Sequence, residues 1–161
     1  RGSPPPFAEM SAFLKFNLII HVFAGVIGVI CSYAVLMGLL KKKPNFAFLK
    51  AVSLASVLGY AVSALSGKYY EEIYYEAVVK PVIEAGKYPW AHGALFEAKE
   101  AAFVPIPILA LLVALAIWFW EKRLEDNEKL KKEIALLSMT AVILGTFVAL
   151  TGMFVSGAAN G

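Results

Sequence analysis

Glu97 and Glu100 stand three residues apart, with Lys99 between them, in a chain that is 60% hydrophobic. On a helix, that spacing brings two carboxylates to neighbouring turns of one face and turns Lys99 away from it. Two acids held close in a partly dehydrated site either share a proton or are neutralised by a metal or a basic partner. His21 is the natural basic partner, and its imidazole can carry a proton or ligate haem iron or another transition metal. With a mean hydropathy of +0.69, each such group in an apolar stretch needs an explanation.

The elements that must position these groups are transmembrane helices. Four stretches, at about 18–40, 46–66, 94–120 and 134–156, are apolar enough to cross a hydrocarbon core, which takes about 20 helical residues. The expected fold is all-α: an integral membrane four-helix bundle in which residues 1–161 form a single four-span domain. Long unbroken apolar runs exclude a transmembrane β-barrel. The 67–90 segment is expected to add an amphipathic helix on the outer surface, since Tyr70, Ile73, Tyr74 and Ala77 follow helical spacing. Pro81 should end or kink it, and Gly86 and Pro89 punctuate a turn into the third span.

Lys41, Lys42 and Lys43 follow the first span, and Lys122, Arg123, Lys129, Lys131 and Lys132 lie between the third and fourth. Retained basic loops face the cytoplasm, so both termini are expected outside an integral plasma (cytoplasmic) membrane. Trp118 and Trp120 mark the inner interface, while Tyr69, Tyr70, Tyr74, Tyr75, Tyr88 and Trp90 crowd the outer one. The polar, proline-rich opening, Arg1 to Pro6, has no apolar core before a small-residue cleavage site, and the first span is expected to serve as its own insertion signal. A single cysteine, Cys31, excludes intramolecular disulfides and thiolate metal clusters. Net charge is only +3, with the basic residues flanking the membrane rather than forming a stripe, which argues against nucleic-acid binding. The partners to expect are the lipid bilayer, another redox or membrane subunit, or a second copy of the chain.

Depth follows from counting at about 1.5 Å per residue. His21 falls roughly 28 Å from the inner border of its span and Glu100 roughly 30 Å from the inner border of its own. Ser63 to Ser66 and Thr151 to Met153 reach the same height from the other two spans. Small residues Gly25, Gly28, Ala55, Gly59 and Ser63 mark faces on which the first two helices can approach closely. Pro105 and Pro107 lie about one turn below the acids and free the carbonyls of Ala101 and Phe103.

Three functions suit this level. The first is a small redox or electron-transfer protein with haem b in the outer third of the bilayer, His21 an axial ligand, Met153 at the height of a second ligand, and Tyr60 among the pocket walls. The glycines after His21 would leave room for the macrocycle. His21 near the outer end of a first span, followed by glycines and a basic loop, is similar to small membrane cytochromes over that one helix. Their paired intramembrane histidines are missing. The second is a transition-metal centre, such as iron, held by His21, Glu97, Glu100 and His92, with one of Glu71, Glu72 and Glu76 in reserve. The third has no cofactor: an accessory subunit, or a component that conducts protons or ions through the Glu97/Glu100 level.

Overall fold

A computed structural model describes residues 10–158; the opening from Arg1 to Pro6 lies outside the described residues. Helix α1 (Ala12–Leu39) starts where the Ser11 hydroxyl accepts the Leu14 N–H at 3.3 Å. The lysine-rich turn and Pro44 separate it from α2 (Phe46–Tyr70), capped in the same way by Asn45, whose side-chain oxygen accepts the Phe48 N–H at 3.1 Å.

Beyond Tyr70 the chain does not break. A π-helical segment (Glu71–Val79) and α3 (Lys80–Ala85) continue α2 directly, so residues 46–85 form one 40-residue helix. The segment expected on the outer surface is thus helical, as an extension of the second span. Pro81 does not end this helix; it falls at the junction between the π-helical segment and α3. The helix stops at Gly86, whose N–H reaches back to the Ile83 carbonyl at 3.1 Å.

The third span is built from three pieces: a second π-helical segment (Ala91–Phe96), α4 (Glu97–Phe103) and α5 (Pro105–Phe119). Pro105 sits at the break, as its absent N–H requires. A short α6 (Glu121–Asp126) leads to α7 (Glu128–Ala158), which starts where Asn127 accepts the Leu130 N–H at 2.9 Å.

These elements close a ring in which α1 lies against α2 and α7, and α5 fills the opposite corner between α2 and α7. Small residues set the α1–α2 approach. A Cβ added at Gly59 would lie 2.8 Å from the Ala24 carbonyl oxygen and from the Gly28 nitrogen. The core has three levels. Leu39, Leu49, Ile117 and Leu124 fill the lysine-rich end, Tyr60, Ile106 and Ala110 the middle, and Tyr74, Tyr75, Val79, Ile83 and Phe96 the tyrosine-rich end. At the lysine-rich end Lys50 pairs with Glu121, and the buried Lys131 pairs with Glu128. Four helices are long and apolar enough to cross a membrane, and large apolar side chains such as Phe23, Leu65, Phe119 and Phe154 cover their outward faces. The molecule is a membrane-embedded helical bundle with a lipid-facing coat.

Candidate functional site

The site begins with one imidazole. His21, half-buried on α1, has Nδ1 2.8 Å from the Ser63 carbonyl oxygen on α2. A carbonyl only accepts, so Nδ1 carries the proton, and in the neutral ring Nε2 keeps a lone pair. Ser63 answers by donating its hydroxyl to the His21 carbonyl at 3.0 Å. The ring occupies the space over Gly67, where an added Cβ would lie 2.6 Å from it.

The acids and Lys99 form the next shell, and Lys99 is part of it. Its side chain is half-buried, its ammonium 4.4 Å from the centre of the Phe96 ring and close enough to His21, Glu100 and Glu71 to act on all three. The Glu100 carboxyl lies close enough to Glu71 of the first π-helical segment for the two to act on each other. Glu71 in turn accepts from the Lys68 ammonium at 3.2 Å. Glu97 is exposed, and the charge it acts on is Lys80. The expected face is therefore corrected: Glu100 and Lys99 join the cluster and Glu97 looks outward.

A second polar group lies where the two π-helical segments meet. The Tyr75 hydroxyl is 3.1 Å from His92 Nδ1, and His92 Nε2 is 3.9 Å from a Glu84 carboxylate oxygen. Phe96 stacks on Tyr75 with ring centres 4.1 Å apart. His92 is thus buried among partners of its own rather than turned toward His21.

The other expected ligands have settled places. Met153 is 71% exposed, because Thr151 and Val155 face the interior and a residue two further along than Thr151 points about 200° away. Tyr60 is fully buried at mid-bundle, its ring against Gly28 and its oxygen 3.3 Å from the Ser32 hydroxyl that donates to it. The spaces beside Gly25 and Gly28, expected to admit a macrocycle, hold Ser63 and Tyr60. His21, His92, Glu97 and Glu100 are divided among three separate surroundings. Among the described residues, no group of three or more His, Cys, Asp or Glu is arranged to hold a metal ion.

A hydroxyl line runs from this cluster toward the lysine-rich end. Asn17 donates to the Ser66 carbonyl at 2.8 Å, and the His21–Ser63 pair follows one turn on. Then come Tyr60, Ser32 and Ser56, the two serine hydroxyls 2.7 Å apart. Ser138 of α7 donates to the Ser32 carbonyl at 3.1 Å, and Ser53 to the Lys50 carbonyl at 3.0 Å. Ser32, Ser53, Ser56 and Ser138 border a cavity of about 10 Å³, close to the room one water needs. The signal for this line is in the sequence: Ser53, Ser56, Tyr60, Ser63 and Ser66 recur at spacings of three and four, one helix face.

No protein-family model, curated protein or solved structure matches the chain.

Proposed function

We propose that this protein is a proton-conducting component of a membrane assembly, with the Glu71–Glu100 pair as its proton-binding mouth and the hydroxyl line of α1, α2 and α7 as its path. The observation that carries this reading is the gathering of the two carboxyls around Lys99, which also acts on His21, the imidazole bonded to Ser63 of that line. Two carboxylates brought close in a partly dehydrated site favour sharing a proton. Glu71 accepts from the Lys68 ammonium at 3.2 Å, and the proton is assigned to Glu100, the partner without that bond. The serines and Tyr60 each supply an O–H that donates and lone pairs that accept, which is the chemistry a hopping proton uses. The lysine-rich loops support an orientation with the far end of the line toward the cytoplasm and the acidic mouth outside.

The test is the infrared carboxyl C=O band of the purified protein near neutral pH. The expected result is a protonated-carboxyl band that disappears in Glu100→Gln. A wild-type spectrum without that band removes the shared proton and leaves the line as packing between helices.

A second reading is favoured by the His21 geometry. An imidazole whose Nδ1–H is tied to a carbonyl presents Nε2 as a lone-pair donor, the arrangement in which histidine binds haem iron or another metal. An optical spectrum of oxidised and dithionite-reduced protein, with metal analysis, decides it. A Soret band that shifts on reduction and is lost in His21→Ala establishes the redox function, and a colourless, metal-free sample removes it.

A further inference from the structure

We infer that Tyr75, His92 and Glu84 form a proton relay connecting the Glu71–Glu100 pair to water at the tyrosine-rich face. This deepens the proton-conducting reading and rests on it. In that reading the pair passes protons inward along the hydroxyl line; the relay supplies the other side.

The geometry is directional. Tyr75 lies four residues after Glu71 in the same π-helical segment, close to one wide turn further along, and both Glu71 and Glu100 are near enough to act on its hydroxyl electrostatically. That hydroxyl is 3.1 Å from His92 Nδ1. The ring's other nitrogen is 3.9 Å from Glu84, whose side chain is 52% exposed against 11% for His92. The three groups thus pass from a buried phenol through a buried imidazole to a carboxylate in contact with water. Phe96 stacked on Tyr75, and tilted against His92 at 5.4 Å, excludes solvent from the flank of the pair.

Two further features single this place out. The two π-helical segments among the described residues come together here, Glu71–Val79 carrying Tyr75 and Ala91–Phe96 carrying His92. Such wide turns are uncommon and gather at functional sites. In addition, His92 is a buried titratable group that the hydroxyl line does not use. The charged and titratable groups acting on Tyr75 are Glu71, Glu76, Tyr70 and Glu100, and the charged group nearest His92 is Glu84.

In the outward step the Tyr75 O–H proton moves to Nδ1 of neutral His92 while the Nε2 proton leaves to Glu84. The phenolate oxygen takes its replacement from the carboxyl pair, through a water where the two are not in contact. One proton enters, one leaves, and no group changes oxidation state. The imidazole is left in its other tautomer, and rotation of the ring and the phenol resets the pair.

The test reconstitutes the full chain in vesicles carrying an internal pH dye and compares wild type with Tyr75→Phe, His92→Gln and Glu84→Gln. The infrared carboxyl band is read on the same samples. Phenylalanine keeps the stacking on Phe96 and removes only the hydroxyl; Glu84 is exposed enough to change without disturbing the core. The expected result is a severalfold fall in proton flux in Tyr75→Phe and His92→Gln, a smaller fall in Glu84→Gln, and an unchanged carboxyl band in all three. Unchanged flux with the band in place overturns the relay and leaves the carboxyl mouth standing. Absence of the band from the wild type overturns the carboxyl pair and the relay with it.

Discussion

On the proposed reading, a proton shared between Glu71 and Glu100 makes the two side chains unequal, one an acid and the other its acceptor. Glu71→Gln and Glu100→Gln therefore differ in their expected effects. Replacing Glu100 removes the acid and leaves an ion pair between Lys68 and Glu71. Replacing Glu71 leaves a single carboxyl beside Lys99 and Lys68, which favour its ionised form. Proton release followed between neutral and alkaline pH should thus fall by about one proton per chain in Glu100→Gln, with the midpoint of the remaining Glu100 moved to lower pH in Glu71→Gln. Identical titrations of the two variants would contradict the assignment. His21 is held differently, by one hydrogen bond to a carbonyl and by contact with Gly67. His21→Ala should lower stability in mild detergent by about 1–3 kcal/mol, measured by denaturant titration. No change would mean that the ring is not packed as described. At this scale the sequence was only half legible. His21 and Ser63 share a height because both depths follow from simple counting, and they are indeed bonded. The facing of Lys99 was not legible, because spacing within α4 tells which residues share a face and not which face turns inward; that is set by the neighbours of Lys99 and Glu100.

Helix pairs carry the next set of constraints. The α1–α2 seam closes on Gly59, whose Cα leaves no room for a methyl group between Ala24 and Gly28. The obstructing atoms are backbone, which cannot rotate aside. Gly59→Ala should therefore destabilise by about 1–3 kcal/mol, whereas Gly152→Ala, with nothing within 4 Å of the added Cβ, should be nearly neutral. Thermal unfolding of the two variants in one detergent checks the contrast; equal effects would mean that the seam is looser than described. The seam was readable in advance because small residues at helical spacing have few other uses in a membrane. The extension of α2 to Ala85 was not. Tyr69 to Tyr75 read as an interfacial belt, since aromatic and acidic residues beside a membrane look alike whether a helix lies down or continues. Only the packing of Tyr74, Tyr75, Val79 and Ile83 into a core with Phe96 and Val155 decides it.

For the molecule as a whole, apolar run length made four spans legible, and the positions of the lysines yield a topology that can be measured. In a Cys31→Ala background, Lys42→Cys should stay unlabelled by a membrane-impermeant maleimide in intact cells, while Lys87→Cys should react. The reverse pattern would invert the path and place the acidic mouth in the cytoplasm. Composition alone could not reveal the hydroxyl line across α1, α2 and α7, although the serine spacing on α2 points to it. It depends on serines that individually resemble ordinary packing residues, and on Tyr60 closing the middle of the bundle against Gly28. Proton flux into vesicles under an imposed membrane potential tests the line most directly. The expected result is a flux well above that of protein-free vesicles and reduced severalfold by Glu100→Gln. Vesicles holding folded wild-type protein that are no leakier to protons than empty ones would contradict a conducting function.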